Sequence, residues 1–170
     1  MRSFLIAAAA AMAAACTPAP PAKSAAAAGP HVAAADPVAA GRYLVQIGGC
    51  NDCHTAGFAE SGGNVPESEW LKGGVGFRGP WGVTYPTNLR LSVEQGSEDE
   101  WVAAMHQRKT MPPMPWPAIN AMSEQDLRAI YAYVKTLEPK GETAPANLPP
   151  GQEPKTPYYY FVPITGPAPH

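Results

Sequence analysis

Cysteine is scarce in this chain, with three in 170 residues. Two of them, Cys50 and Cys53, form a C-x-x-C pair, which by itself is compatible with a disulfide, half of a zinc site or a thioredoxin-like redox pair. A structural zinc site needs four ligands, and no second cysteine pair supplies them. A thioredoxin-like pair lies beside alternating strands and helices, and the chain lacks that pattern. The sequence therefore disfavours both kinds of site.

The chain also lacks an excess of basic residues and long apolar runs. The formal net charge is −2 at pH 7, which gives no indication of a nucleic-acid-binding surface. The stretch from Phe4 to Ala15 is apolar and follows the basic start Met1-Arg2, but it is too short for a transmembrane helix. We interpret residues 1–15 as a signal peptide for export.

The third cysteine, Cys16, follows the small residues Ala13-Ala14-Ala15. These residues fit either an ordinary cleavage site or a bacterial lipoprotein box, although such boxes usually carry leucine where Ala13 stands. Lipidation would account for an unpaired thiol in an exported chain, and the acyl chains would tether the protein to a membrane. We therefore predict a periplasmic lipoprotein, in which residues 16–35, rich in alanine and proline, form a flexible tether.

The most informative feature present is the run Cys50-Asn51-Asp52-Cys53-His54, which fits the C-x-x-C-H signature of covalent c-type haem (heme c) attachment. Cys50 and Cys53 can each add to a haem vinyl group, and the adjacent His54 then lies under the iron as its proximal ligand. Asn51 and Asp52 are interpreted as tolerated spacers. The run therefore predicts one covalently attached haem c.

Helix-capping signals divide the part of the chain that follows the tether. Asp36-Pro37 predicts the start of a first helix, Ser97–Glu100 is a capping box that opens a second, and Ser123 opens a third helix with an apolar stripe. The glycine-dense stretch 55–96 predicts a wrapping loop without long regular elements. We predict a helical domain over residues 36–139.

Methionines offer a second ligand for the iron, in the loop Met111-Pro112-Pro113-Met114-Pro115-Trp116-Pro117. Thioether sulfur is a soft ligand, and methionine opposite histidine raises the reduction potential relative to two nitrogen ligands. The prolines leave the loop few conformations, so that holding a ligand requires little ordering on folding. Met111 and Met114 are both candidates on these grounds.

Other side chains are less favoured as iron ligands. Met105 and Met122 lie on or next to helical faces and are expected to fill the core. His106 is a rival sixth ligand, but a histidine on a helix is more often exposed or hydrogen-bonded elsewhere. His31 and His170 are interpreted as bystanders. In the wrapping loop, four side chains are candidate hydrogen-bond donors to the haem propionates or to the sulfur ligand: Arg78, Trp81, Tyr85 and Asn88.

A resemblance to a known family is carried by seven segments: Gly41–Val45, Cys50–Thr55, Gly79–Gly82, Thr87–Leu89, Met114–Trp116, Met122–Leu127 and Tyr131–Tyr133. The chain resembles class I mono-haem cytochrome c, and more narrowly it is similar to the cytochrome subunits of bacterial periplasmic dehydrogenases for alcohols and sugars. The resemblance implies an all-α class I fold, in which three or more helices and long loops surround one haem and the first and last helices cross. In that family the axial methionine precedes Pro-Trp or Pro-Tyr, which implies Met114 as the distal ligand, with Met111 as the alternative.

The resemblance also implies an electron carrier and not an enzyme. The iron would cycle between Fe(II) and Fe(III), and the partners would be redox proteins such as a dehydrogenase, an oxidase or another cytochrome. The chain has one C-x-x-C-H run where larger family members have several, and no dehydrogenase motif. A freely shuttling carrier and a cytochrome subunit of a dehydrogenase or respiratory complex are both compatible with this pattern. A haem sensor or peroxidase-like protein is disfavoured, since a methionine on the iron leaves no open position.

The last segment, residues 140–170, is a proline-rich extension that contains the aromatic run Tyr158–Val162. Consecutive aromatic side chains are expected to pack on the domain and not to remain in water. The alternative is a docking strip for a partner.

The domain has few large apolar side chains for its size, so the haem is expected to supply much of the apolar core. We predict that the chain without haem is poorly folded. Circular dichroism during thermal melting of the chain, made in a host without haem-attachment machinery, tests this expectation. A cooperative transition like that of the haem-bound protein would contradict it.

Overall fold

A computed structural model describes residues 29–161. The predicted signal peptide, Cys16 and most of the predicted tether lie outside the described residues, as do Val162 and His170. Within the described part the chain forms six helices: α1 (Pro37–Ile47), α2 (Cys50–His54), α3 (Leu89–Ser92), α4 (Glu98–Gln107), α5 (Trp116–Asn120) and α6 (Glu124–Thr136). It also forms a 3₁₀ turn at Glu67–Glu69 and three strands: β1 (Gly76–Gly79), β2 (Gly82–Thr84) and β3 (Tyr158–Tyr160). None of the described helices has the length and hydropathy needed to cross a membrane.

The three predicted helix starts are confirmed. The Asp36 carboxylate caps α1 by accepting a hydrogen bond at 2.9 Å from the amide two residues further on. Ser97 and Glu100 form both hydrogen bonds of the capping box at α4, and the Ser123 hydroxyl accepts from the Asp126 amide at the start of α6. Each cap satisfies an amide that the first turn of a helix leaves without a partner, and it contributes about 1 kcal/mol.

Helices α1 and α6 cross at Gly41. A Cβ atom on Gly41 would lie 1.9 Å from the carbonyl oxygen of Ala129 and 2.8 Å from the Cβ of Tyr133, so only glycine permits this close approach. The crossing that the resemblance implied is therefore present. It buries the main core cluster, which consists of Ala40, Leu44, Val45, Trp70, Leu71, Val93, Ala129, Ile130, Tyr133 and Val134.

A buried arginine anchors the wrapping loop. Arg90 is 3% exposed, and its guanidinium donates to three backbone carbonyl oxygens: Trp70 (2.7 Å), Leu137 (2.7 Å) and Glu67 (3.1 Å). Burial lowers the pKa of Arg90, but a buried charge is tolerated where strong hydrogen bonds replace its hydration. The guanidinium therefore joins the wrapping loop to the C-terminal end of α6.

The three strands form one small sheet in the order β2-β1-β3. Strands β1 and β2 are an antiparallel hairpin joined through Pro80-Trp81, and β3 pairs with β1 in parallel. The predicted all-α class is corrected here, because the domain is a helical fold with an added sheet. The strands are only three or four residues long, which is too short to produce a recognisable alternation of apolar side chains.

The C-terminal extension packs on the domain, as its aromatic run predicted. The ring centroid of Tyr159 lies 5.5 Å from that of Phe77, and the centroid of Phe161 lies 6.1 Å from those of both Phe77 and Trp81. Tyr160 and Phe161 are nevertheless 58% and 54% exposed. The aromatic run therefore adds a strand to the sheet and packs on the domain while part of its aromatic surface faces solvent.

One contact precedes the predicted start of the domain. The Val32 amide donates to the Asp126 carboxylate at 2.8 Å, and the Val32 side chain packs against the main core cluster. The end of the predicted tether therefore touches the N-terminal turn of α6.

The crossing of α1 and α6 gives a direct test. We expect Gly41→Ala to lower the free energy of unfolding by about 3 kcal/mol, because the added methyl group would meet a helix backbone and overpacking of this kind is poorly relieved. Chemical denaturation of the haem-bound protein, followed by haem absorbance, measures this change. Ala39→Ser is the matched control, since it adds one atom at an exposed position of the same helix and should cost about 0.5 kcal/mol in helix propensity. Equal stability of the two variants would contradict the close crossing.

Candidate haem-binding site

Helix α2 places the chemical groups of the C-x-x-C-H run together. Cys50, Cys53 and His54 have the spacing i, i+3 and i+4, which makes them neighbours on one side of a helix. Gly49 precedes the helix with a φ of 64°, a left-handed conformation that glycine adopts without strain. Both thiols are free. The helix thus presents two thiols and an imidazole on one face.

The His54 ring is oriented by one backbone group. The residue is 6% exposed, and its Nδ1 lies 2.7 Å from the carbonyl oxygen of Thr87. Because a carbonyl oxygen only accepts, Nδ1 carries the proton and donates, which leaves the lone pair on Nε2. Burial lowers the pKa of His54, and the hydrogen bond to Thr87 opposes this effect only in part. A neutral imidazole with a free Nε2 is the form that binds a metal.

The two thiols are stabilised in their protonated form. Burial raises the pKa of the Cys50 thiol to about 11, and it also raises the pKa of Cys53. Redox-active cysteine pairs show the opposite shift, because their thiolate is the attacking species. The pKa shifts of both thiols are therefore opposite in direction to the shift that activates a thioredoxin-like pair.

Asn51 has a structural role, so its interpretation as a tolerated spacer is wrong. The residue is 1% exposed, and its Oδ1 accepts a hydrogen bond from the Thr55 hydroxyl at 2.7 Å. The oxygen of that hydroxyl accepts in turn from the Leu71 amide at 2.8 Å.

The wrapping loop also approaches α2 closely at Gly74. A Cβ atom on Gly74 would lie 2.0 Å from the carbonyl oxygen of Cys53. The wrapping loop is therefore fitted closely against α2.

A cavity of about 810 Å³, which includes space open to solvent, adjoins α2. The lining is largely apolar and comes from α2, the wrapping loop, α4, the segment before α5 and the C-terminal extension. It includes His54, Tyr85, Trp101, Met105, Met114 and Asn147.

The cavity fits a haem in its chemistry. Its apolar side chains suit the faces of a porphyrin, His54 offers an iron ligand, and Cys53 in the lining offers a point of attachment. Cys50 is not part of the lining and packs against the main core cluster, one turn before Cys53 on the same helix. Trp101 lines the cavity, and its indole Nε1 is buried without a hydrogen-bond partner among residues 29–161. A buried donor left without a partner is costly. A polar group of the ligand, such as a haem propionate, is the kind of partner that would satisfy it.

The structure distinguishes the methionines. Met114 and Met105 line the cavity, and Met111 is not part of its lining. Met105 is a buried member of a second core cluster, together with Val102, Trp116 and Leu127. Met122 and Met114 both pack against that cluster, and of these two only Met114 lines the cavity. Met114 is therefore the loop methionine that shares a cavity with His54.

Hydrogen bonds hold the methionine loop, residues 108–115 between α4 and α5. The Thr84 hydroxyl donates to the Pro112 carbonyl oxygen at 2.6 Å, and the Trp116 indole donates to the Thr110 hydroxyl at 2.8 Å. Three prolines within the loop restrict its backbone further. Met114 is thus presented by a loop with few alternative conformations.

The histidines outside α2 have other surroundings. Nδ1 of His106 lies 3.2 Å from the carbonyl oxygen of Asn120, and His106 is not part of the cavity lining. His31 is exposed, and its Nδ1 lies 2.9 Å from the carbonyl oxygen of Gly29. Neither residue lines the cavity that includes His54.

Of the four candidate donors in the wrapping loop, Tyr85 lines the cavity. Arg78 pairs with Glu153 at 2.5 Å, and the Trp81 ring lies against the C-terminal extension. Asn88 caps α3 through Oδ1, and its Nδ2 donates to backbone carbonyl oxygens of the extension. Arg78, Trp81 and Asn88 therefore support the loop and the extension and do not line the cavity.

Sequence reasoning missed several residues of the site. Thr87 orients His54 through its backbone carbonyl oxygen. Because every residue has such an oxygen, the residue type gave no signal, although Thr87 lies in one of the segments that carried the resemblance. Arg108 lines the cavity with its guanidinium 5.9 Å from the ring centroid of Trp116. Thr84 and Asn147 also line it, and Asn147 comes from beyond the predicted domain. No local pattern marks Arg108, Thr84 or Asn147.

Curated relatives of the chain are parts of dehydrogenases by name. The cytochrome subunit of fructose dehydrogenase from Gluconobacter japonicus is 27% identical over 137 residues, which cover 75% of this chain and 25% of the relative. The cytochrome c subunit of a quinone alcohol dehydrogenase from Gluconacetobacter polyoxogenes is 30% identical over 106 residues, which cover 56% and 21%. The cytochrome c subunit of gluconate 2-dehydrogenase from Pantoea cypripedii is 29% identical over 106 residues, which cover 56% and 22%. The chain thus spans a quarter or less of the length of these relatives.

Family membership rests on a broader match. No solved structure matches the chain significantly. The family model described as "Cytochrome c" matches residues 38–138, which include the C-x-x-C-H run, the methionine loop and all six helices apart from the first residue of α1. The chain therefore belongs to the cytochrome c family, and residues 38–138 form an electron-transfer domain with covalently bound haem c.

Proposed function

We propose that this protein is a one-electron carrier whose haem is attached through Cys50 and Cys53 and is coordinated by His54 and Met114. The observation that supports this most strongly is that His54, with Nε2 left free, and Met114 line the same largely apolar cavity. Histidine and methionine are the axial pair of cytochromes c and favour a raised potential. When bound, the haem supplies an iron that alternates between ferrous and ferric states.

The residues around the cavity favour a rigid centre. The Thr87 carbonyl oxygen fixes the orientation of the His54 ring and increases the basicity of its free nitrogen. Thr84 and Trp116 restrain the loop that carries Met114. A preorganised site needs little rearrangement when the charge at its centre changes. Such a site suits repeated electron transfer better than the binding of a substrate.

Met114 also distinguishes the carrier from other haem proteins. A sensor or a peroxidase-like protein needs an open position on the iron for a gas or a peroxide. A methionine held at that position by a restrained loop fills it. We therefore disfavour the sensor and peroxidase-like alternatives.

We further infer that a dehydrogenase is the electron donor. Relatives are named as cytochrome subunits of fructose, alcohol and gluconate dehydrogenases, and a single C-x-x-C-H run suits one carrier that accepts their electrons. An oxidase or another cytochrome would then accept the electron. The sequence signals in residues 1–16 support a periplasmic location, with lipidated Cys16 as a membrane tether.

Replacing Met114 tests the distal ligand. We expect Met114→Ala to lose the weak far-red absorption band of the ferric protein, which arises from sulfur on the iron, and to gain carbon monoxide binding in the ferrous state. Met111→Ala and Met105→Leu are controls and should keep the band. Absorption spectra of protein matured in a host with haem-attachment machinery give the result. A wild type without the band, or loss of the band in a control but not in Met114→Ala, would overturn the assignment.

A dehydrogenase donor makes reduction depend on a second protein. The purified ferric protein should stay oxidised when fructose, gluconate or ethanol is added alone. It should be reduced by at least one of these substrates when membranes of the source organism are present, because the catalytic cofactor is in the partner. Absorbance of the reduced haem reports the reaction, and heat-treated membranes are the control. Reduction without membranes, or no reduction with any substrate, would contradict the inferred donor.

A further inference from the structure

The C-terminal strap, residues 140–161, lies beyond residues 38–138 that match the family, yet it reaches the haem cavity. Asn147 is one of the lining residues. The strap is fixed near its start, where Nδ2 of Asn88 donates to the carbonyl oxygens of Lys140 at 2.8 Å and Glu142 at 3.2 Å. A segment outside the family match therefore forms part of the wall of the site.

The strap is also fixed near its end. Strand β3 pairs with β1, and the Phe161 amide donates to the carbonyl oxygen of Arg78 at 2.8 Å. The Arg78 guanidinium donates to both carboxylate oxygens of Glu153 at 2.5 Å. Since both ends are anchored, the middle of the strap loses little conformational entropy when it contacts another element.

The middle of the strap binds both chain neighbours of Thr84, the last residue of β2. Val83 and Leu148 exchange two backbone hydrogen bonds, each 2.9 Å long. The Oδ1 of Asn147 accepts from the Tyr85 amide, also at 2.9 Å. Both chain neighbours of Thr84 are therefore hydrogen-bonded to the strap.

Thr84 extends this restraint to the methionine loop. It is 9% exposed, lines the cavity and donates from its hydroxyl to the Pro112 carbonyl oxygen at 2.6 Å. Successive side chains of a strand point to opposite faces, so Thr84 projects away from the face shared by Val83 and Tyr85. Pro112 lies two residues before Met114. The strap thus binds Val83 and Tyr85, and the methionine loop binds Thr84 between them.

We propose that the C-terminal strap positions the distal ligand of the haem iron. By holding Val83 and Tyr85 it fixes β2, so that the Thr84 hydroxyl keeps the methionine loop, and Met114 with it, at the cavity. This inference rests on the proposed function, in which Met114 is the ligand. Asn147 is a positioning residue, because it acts on the ligand through β2 and Thr84.

Loosening the strap should raise the fraction of molecules in which Met114 has left the iron. An external ligand binds that fraction, so its apparent affinity rises in proportion. Loss of one hydrogen bond of ordinary strength changes such an equilibrium about fivefold. Imidazole is a suitable probe, because it is a nitrogen ligand for iron that competes with the sulfur of methionine.

Titration of the ferric, full-length, haem-bound protein with imidazole, followed by loss of the far-red band, measures this affinity. We expect Asn147→Ala and Thr84→Val each to bind imidazole about fivefold more tightly than the wild type. Asn147→Asp keeps an oxygen acceptor for the Tyr85 amide and should restore the wild-type affinity. Gln152→Ala is the matched control at an exposed position of the strap, and it should leave the affinity unchanged.

A double-variant cycle separates positioning from a direct effect of Asn147 on the cavity. If Asn147 acts through Thr84, the double variant N147A/T84V should bind imidazole no more tightly than T84V alone. Effects that multiply would overturn the proposal, as would a wild-type affinity in N147A or a lack of rescue in N147D.

The wild-type spectrum distinguishes failure of this proposal from failure of the proposed function. A wild type without the far-red band would overturn the assignment of Met114, and the role of the strap with it, before any variant is compared. A wild type with the band, together with an unchanged N147A, would overturn only the role of the strap.

Discussion

The hydrogen bond from Nδ1 of His54 to the Thr87 carbonyl oxygen is the contact on which the rest of the site depends. It joins α2, which supplies the thiols and the imidazole, to the wrapping loop, and it leaves Nε2 free for a metal. The carbonyl oxygen has a fixed position because the next residue, Asn88, caps α3 with Oδ1 and holds the start of the C-terminal strap with Nδ2. The orientation of the His54 ring therefore depends, through the Thr87 carbonyl oxygen, on how the wrapping loop and the strap are held.

A loop without long regular elements needs individual partners for its buried polar groups. Helices and sheets satisfy backbone groups by repetition, whereas the wrapping loop relies on side chains such as Arg90, which donates to three carbonyl oxygens, and Thr55, which links Asn51 to Leu71. These polar contacts surround a thin apolar core whose tightest point is the helix crossing at Gly41. The cavity beside α2 lies within this framework, so its walls are held by specific hydrogen bonds as well as by apolar packing.

The parts of the fold that were predictable are those encoded within a few residues. Caps at Asp36, Ser97 and Ser123 lie within one turn of the helices that they start, and the C-x-x-C-H run is contiguous. Residue chemistry alone left Met111 and Met114 open, and the family pattern was needed to favour Met114. The sheet and the role of Asn147 were not predictable, because β3 pairs with a distant strand and the Tyr85 amide lies 62 residues from its acceptor. Contacts of this kind have no local signature, since any short strand or any asparagine can make them.

In the proposed arrangement the two sides of the haem differ in how they are held. The proximal side is fixed covalently through Cys50 and Cys53, which lie in the same short helix as His54, so little further restraint is needed there. The distal side has one neutral sulfur on a loop, and a ligand of this kind stays on the iron only as far as the loop stays in place. Thr84, Trp116 and the C-terminal strap all act on that side. In this arrangement no covalent bond holds the methionine loop to the haem. The noncovalent restraint that the C-terminal strap supplies therefore matters more for this loop than for α2, which is attached through its cysteines.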